Sequence, residues 1–368
     1  MITWRNGTVV SLGAAWAGAR ELSVETTEGT LRALAYPGLV GDPVVGERVL
    51  LNVSALARGL GTGGYALVVA RPDALMPDPP EGPGHLVKAR YTPLQTLVLG
   101  VDEQESEHHD RLRDADDLAG LPVVVADLHS ALPAVIAGAR WAAANAGRVA
   151  PRVIYLMTDG GALPAWFSRT VAGLRDAGWL AACITAGQAF GGDLEAVTVH
   201  TGLLAARLVC DADLVVVAQG PGNLGTGTRW GFSGVAAGEV VNAVSVLNGR
   251  PVAALRVSGV DPRPRHLGLS HHSLTALGRV ALAPADVVVA VGEAVDPARR
   301  ALRATVRRQA AELCQGLHRL VEVEAGPGLE EALAGSPVRL SSMGRDLAAD
   351  PEAFIASAAA GAHAVSLL

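Results

Sequence analysis

From Leu121 onward the chain alternates short, uniformly apolar runs with segments long enough for a helix, and this rhythm constrains the fold more than any other feature. The runs are 122–126, 152–157, 180–185, 214–218, 252–257 and 286–291. They are rich in Val, Ile and Leu and apolar at successive positions, as strands buried on both faces must be. Between them lie the helix-length segments 132–146, 163–177, 194–209, 234–247 and 273–282. Strand, helix, strand in this order predicts an α/β fold: a mostly parallel, Rossmann-like three-layer sheet with right-handed crossovers. A further helix over 297–316, a strand over 319–324, two short helical pieces in the tail and an edge strand at 338–340 complete this reading.

The first ~70 residues differ in kind. Five short strand patterns, 5–12, 21–26, 30–35, 46–53 and 65–70, are divided by the turn signals Asn6-Gly7, Glu28-Gly29 and Gly41-Asp42-Pro43. They predict a small β-barrel-like domain of the SH3 or OB kind over 1–76. The run 77–84 (PDPPEGPG) cannot sustain a helix or a central strand and reads as a linker. The α/β domain then spans 85–368, entered through 85–91 and 95–101, a hairpin or a bridge into it, and a charged stretch over 102–117 that reads as a solvated helix or loop.

Composition narrows the function classes. With 50% hydrophobic and 18% charged residues over 368 positions, the chain can bury a large core. The net charge is −6 and no basic stripe carries aromatic platforms, so nucleic acid is not the expected partner. The arginines of 299–308 read as a solvated helix face. No stretch reaches the ~20 apolar residues of a membrane span, since Arg207, Asp211 and Asp213 interrupt the best candidate. The run 8–19 lacks a basic leader and flows into a strand pattern, so it is not read as a signal sequence. Cys183, Cys210 and Cys314 are isolated in apolar segments and read as reduced core thiols, which makes the cytoplasm the expected compartment.

Ligand sites of open parallel sheets lie outside the carboxyl ends of the strands. The residues just past each strand are therefore informative. Four successive strands run into Asp127-Leu128-His129-Ser130, Thr158-Asp159-Gly160-Gly161, Ala186-Gly187-Gln188 with Asp193, and Gln219-Gly220-Pro221-Gly222-Asn223-Leu224-Gly225-Thr226-Gly227-Thr228. The fifth leads through Asp261 and His266 to Ser270-His271-His272-Ser273. Asp127, His129, Asp159, His271 and His272 are the candidate catalytic residues, for proton transfer or metal binding. Plain structural duties compete: a tight turn at Asp159, and helix caps at Ser130, Asp193, Ser270 or Ser273.

Backbone donors of Gly220, Gly222, Asn223, Gly225, Thr226, Gly227 and Thr228, with Gln188 and Arg229, are the candidate binding residues for a small anionic metabolite. The loop has neither a dinucleotide fingerprint nor a P-loop ending, and names no cofactor. Asp127, His129, Asp159 and one of His271 or His272 can supply a divalent metal site if they converge. Adjacent histidines on an ordered segment point in different directions, so at most one of that pair is expected to ligate a given ion unless the chain turns there. No Gly-x-Ser-x-Gly elbow marks a nucleophile.

The motifs 60–65, 158–164, 187–193, 219–228 and 270–272 together resemble an uncharacterised bacterial family, domain of unknown function 3866. The resemblance implies a shared architecture over nearly the whole chain and brings no activity or catalytic residue. Three readings stay open: an enzyme performing hydrolysis or group transfer on a small anionic or phosphorylated metabolite; a non-enzymatic metabolite-binding or sensor protein; and a structural protein whose alanine-rich helices make a homo-oligomer interface.

Overall fold

The computed structural model describes residues 1–161, 163–292 and 296–368. Ala162, within the motif after the second strand, lies outside the described residues. By its contacts the chain divides into two units, Met1–Leu99 with Trp166–Ala172, and Gly100–Ala165 with Gly173–Leu368.

The first unit contains β1 (Trp4–Trp16), β2 (Ala19–Thr26), β3 (Gly29–Ala35), the single-turn α1 (Pro37–Val40), β4 (Arg48–Asn52) and β5 (Ala66–Ala70). The strands close into a barrel in the order β1-β2-β3-β5-β4, around a core that includes Val9, Leu22, Val24, Ala33, Val49 and Leu51. Asn6-Gly7 is not a turn: it lies inside β1, paired with Leu50 and Val49 of β4. A Cβ at Gly7 would collide with Val24 and the carbonyl of Glu25. Glycine is there for the close approach of β2, a demand that reads like a turn signal in sequence. A short antiparallel pair, β6 (Leu86–Lys88) with β7 (Thr96–Val98), forms a hairpin, which groups with this unit and not with the α/β domain expected to start at 85. Trp16 donates its indole N–H to the carbonyl of Trp166 at 2.7 Å, and Arg169 stacks over the Trp16 ring, which tie Trp166–Ala172 to the barrel.

In the second unit the charged stretch contains only the single-turn α2 (His109–Leu112). The sheet strands are β8 (Pro122–Val125), β9 (Val153–Thr158), β10 (Ala182–Thr185), β11 (Leu194–Glu195), β12 (Leu214–Gln219) and β13 (Arg250–Ala254), with two more after an excursion. That excursion is an antiparallel pair, β14 (Val257–Ser258) with β15 (Gly268–Leu269). The last sheet strands are β16 (Asp286–Val291) and β17 (Arg319–Glu324). All eight sheet strands are parallel, in the order β11-β10-β9-β12-β8-β13-β16-β17.

The helices are α3 (Leu132–Asn145), α4 (Arg169–Asp176), α5 (Val199–Leu208), α6 (Ala237–Val246), α7 (His271–Thr275), α8 (Pro297–Leu313), α9 (Pro327–Ala334) and α10 (Pro351–Ser366). Side chains of α5, α6 and α8 join Val123, Ile154, Val215 and Val287 in one core. Helices α3, α9 and α10 pack together on the sheet's other side.

Several boundaries differ from the sequence reading. Residues 194–209 hold the edge strand β11 and only then α5, which starts where the Thr198 hydroxyl accepts the N–H of Thr201 at 3.2 Å. The helix expected over 163–177 begins at Arg169. The one expected at 273 begins two residues earlier and runs into a π-turn, Ala276–Val280. No edge strand forms at 338–340; β18 (Ser341–Ser342) and β19 (Arg345–Asp346) make a two-residue hairpin instead. The tail is not two short pieces, because α10 runs for 16 residues and buries almost its whole surface.

Helix α10 can be so buried because it is made of small residues. A Cβ on Gly138 of α3 would collide with the carbonyl of Ala358, and one on Gly361 with the carbonyl of Val135. The two backbones meet where both helices lack side chains, so their alanines are consumed inside the chain. The arginines of 299–308 also depart from expectation. Arg303 is buried, its Nε 3.0 Å from Glu352 of α10, and Arg299 bridges Glu352 and Glu330. Helical period alone does not show that α10 brings a carboxylate to that face of α8.

Candidate functional site

Helices after β8 and after β13 leave toward opposite sides of the sheet, so the gap between these adjacent strands is a topological switch point, where such sheets bind ligands. Asp127 follows β8 and Arg256 follows β13. Their side chains meet there, with Arg256 Nη1 3.7 Å from Asp127 Oδ2 and both nearly inaccessible to solvent.

The histidines arrive by a reversal of the chain. After β14 the backbone turns through the 3-10 segment Pro264–His266 and returns antiparallel as β15, pairing Val257 with Leu269. Ser270 then caps α7, its hydroxyl accepting the N–H of His272 at 3.2 Å, and Ser270 N–H donates to the carbonyl of Arg256 at 2.9 Å. Ser273 accepts the N–H of Arg256 at 2.9 Å. The two serines are structural, and they fix the start of α7 against the end of β13.

This fold-back brings three imidazoles together. A potential ligand nitrogen from each of His266, His271 and His272 lies within 4.8 Å of the others. His271 and His272 both belong to this group: their ring centroids are 4.5 Å apart, and each is about 5 Å from that of His266. Sequence reasoning treated the pair alone, whereas His266 lies about 5 Å from both rings and joins them in one cluster. His266, Arg256 and Phe232 were missed as site residues. The signal for His266 was its four-residue spacing from the Ser270 cap, whose hydroxyl lies 2.7 Å from His266 Nδ1.

His272 is held most firmly. Its Nδ1 lies 2.9 Å from Arg256 Nη1 and 3.3 Å from Asp127 Oδ2, and its ring stacks on Phe232 at 3.7 Å between centroids. Burial, followed by the positive charge of Arg256, lowers the pKa of His266 to about 3. Burial and then the neighbouring His272 lower that of His271 to about 4. Both rings are neutral at physiological pH, with lone pairs available. Three buried polar atoms at this sheet end have no hydrogen-bond partner among the described residues: Asp127 Oδ2, His271 Nε2 and Gln219 Oε1. Each such atom costs roughly 1–3 kcal/mol when left unmet.

The other candidates go elsewhere. His129 turns under the sheet end to Tyr155, with Nδ1 2.9 Å from the phenol oxygen. The Tyr155 hydroxyl donates to the carbonyl of Gln219 at 2.9 Å, so His129 Nδ1–H is the donor of that pair. Burial lowers the His129 pKa to about 4. Asp159 accepts the backbone N–H of Gln188 at 2.8 Å and so braces the loop after β10. Asp193 is no helix cap; it accepts Cys183 N–H at 2.8 Å and pairs with Arg175. Ser130 donates to Ser342 at 3.0 Å rather than capping α3. The fourfold convergence of Asp127, His129, Asp159 and one helix histidine therefore does not form.

The glycine loop after β12 is a self-bonded arm. Gly225 bridges Phe232, Thr226 N–H donates to the carbonyl of Gly231 at 2.7 Å, and the Ser233 hydroxyl joins Leu224 N–H to Asn223 Oδ1. Part of its backbone donor set is thus used internally, and the arm's further role is to carry Phe232 onto His272. Gly220, Gly222, Gly227 and Thr228 belong to the same arm, and Arg229 on it is exposed. Arg265 approaches the arm, its Nη2 3.7 Å from where a Cβ of Gly227 would stand. Next to Phe232, Ser233 lines a cleft of about 550 Å³ with Asp159, Gly187, His200, Glu239 and Val240. That volume suits a small-molecule site.

Burial raises the pKa of the Cys210 thiol, and that of Cys314 to about 11; all three cysteines are unbridged, Cys183 and Cys210 in the core as expected and Cys314 only half-buried. No helix among the described residues is long and apolar enough to cross a membrane.

Fold and site together define a barrel-bearing α/β protein with a polar, histidine-rich cluster at a sheet switch point. Residues 32–361 match the family described as Protein of unknown function (DUF3866), and the chain belongs to that family. No curated protein matches it.

Proposed function

We propose that the crevice at the carboxyl ends of β8, β12 and β13 is the active site of an enzyme that carries out hydrolysis or group transfer on a small anionic or phosphorylated metabolite. The observation that carries this reading is the buried contact of Asp127 with His272 and Arg256 at a switch point. A carboxylate beside an imidazole is an arrangement that general acid–base catalysis uses. Arg265, exposed beside the glycine arm, supplies an unburied positive charge for the anion. The cleft beyond Ser233 suits the rest of the substrate. Unpaired buried thiols support a cytoplasmic setting.

Incubating the full chain with panels of phosphomonoesters, phosphodiesters and carboxylate esters tests the proposal. Turnover that falls about 10²–10⁴-fold in Asp127→Asn is the expected result. Thermal stabilisation by one of these compounds with no turnover, unchanged by a second round at saturating divalent metal, would overturn it in favour of a metabolite-binding protein.

A further inference from the structure

We propose that His266, His271 and His272 form a binding site for one divalent transition-metal ion of the zinc class, with Asp127 as the residue that orients His272. The inference does not depend on turnover, since it concerns occupancy alone.

Three imidazoles each place a potential ligand nitrogen within 4.8 Å of the other two, in one small space. Such a cluster is poorly explained as packing. Rings that served only as filler would turn their nitrogens toward solvent or carbonyls, yet His271 Nε2 is buried without a partner. A cation between the rings meets that need. Tetrahedral coordination at ~2.0–2.1 Å places donor atoms roughly 3.3 Å apart, which side-chain rotation can reach from the observed separation. Imidazole nitrogen suits zinc and its neighbours rather than calcium or magnesium, which take oxygen ligands.

The surroundings match a metal site in two further ways. Ser270 can accept Nδ1–H of His266, which leaves the lone pair on Nε2. Asp127 Oδ2 has no hydrogen-bond partner among the described residues and lies 3.3 Å from His272 Nδ1. Once a metal claims Nε2 of His272, the proton must sit on Nδ1, and Asp127 accepts it. A carboxylate behind a metal-bound histidine fixes its tautomer and ring plane in this way. Without the ion, Nδ1 accepts from Arg256 instead. Metal binding thus moves Arg256 from His272 onto Asp127. The positive charge near the rings is partly offset, because Arg256 faces Asp127 and Arg263 is paired with Asp261 at 2.8 Å. Three protein ligands leave a coordination position for water or substrate, the pattern of catalytic rather than structural zinc.

The test is titration of the chelator-stripped full chain with Zn²⁺ by calorimetry and with Co²⁺ by visible absorption. One equivalent of each binds, and Co²⁺ gives the intense bands of a four- or five-coordinate nitrogen site. His271→Ala and His266→Ala, each shown to be folded by circular dichroism, lose more affinity than the ~10–100-fold expected of Asp127→Asn, which keeps the Co²⁺ spectrum. If either histidine variant fails to fold, His271→Gln replaces it. Absence of stoichiometric binding, or binding that survives both histidine substitutions, overturns the proposal. Metal binding without any turnover on the ester panels leaves this inference standing and sinks the enzymatic reading instead.

Discussion

Asp127 Oδ2 stands 3.3 Å from Nδ1 of His272, so the carboxyl end of the central strand β8 touches the first turn of α7, a helix 145 residues later in the chain. Arg256 completes the contact, with only 9% of its side chain exposed. Asp127 is the carboxylate that Arg256 faces among the described residues.

Truncating Asp127 should therefore be costly for stability as well as chemistry. Asp127→Ala leaves a buried guanidinium without a carboxylate, and breaking a buried pair from one side costs about 3–5 kcal/mol. Denaturant unfolding of wild type and variant measures this. A loss under about 1 kcal/mol would mean that His272 alone satisfies Arg256.

His129 predicts how stability responds to acid. Its pKa falls from the ordinary 6.5 to about 4 because burial disfavours the imidazolium. Above about pH 6.5 the ring is neutral in both native and unfolded chains, and its contribution is fully present. Between there and about pH 4 the unfolded chain takes up a proton that the native state refuses, so stability declines as pH is lowered, by about 3 kcal/mol across the window. In His129→Gln, which can still donate to Tyr155, this part of the pH dependence should vanish. An unchanged slope from about pH 7 to about pH 4.5 would assign the effect to other groups.

The crossing of α3 and α10 predicts that glycine is required where helix propensity would prefer alanine. Gly361→Ala gains up to about 1 kcal/mol of intrinsic propensity. It also drives a methyl into the Val135 carbonyl, and overpacking of this kind costs about 1–3 kcal/mol or more. We expect net destabilisation for Gly361→Ala and for Gly138→Ala. A raised melting temperature in either would show that the helices can part at little cost.

The pair of Arg303 with Glu352 is the second buried ion pair with consequences. Glu352→Ala should cost about 3–5 kcal/mol, while the double change Arg303→Met with Glu352→Leu should recover most of it, since a packed apolar pair avoids desolvation. If the double variant is as unstable as the single one, the bond of Arg303 to the carbonyl of Ala325 matters more than the pair.

Local chemistry made much of this protein readable. Doubly apolar, β-branched runs such as 214–218 read as strands inside a covered sheet, and β17 covers the span 319–324 read for it. Ser270 reads as a cap and is one. Parallel topology also places every post-strand loop on one edge, so Asp127 and the start of α7 were legible as site candidates.

What the sequence could not show is which side chains meet. His266 reaches the other histidines only because β14 and β15 double the chain back, and a two-residue pairing leaves almost no periodic trace. His129 and Asp159 have the same local appearance as Asp127, yet Tyr155 claims one and the N–H of Gln188 the other. Gly7, Gly138 and Gly361 serve close approach rather than turns, and the partner that demands it lies far along the chain. The main strands and the sheet edge that carries their loops follow from interactions within a few residues, so the sequence alone determined them. The three-histidine cluster depends on contacts across long separations, and only the tertiary structure decided it.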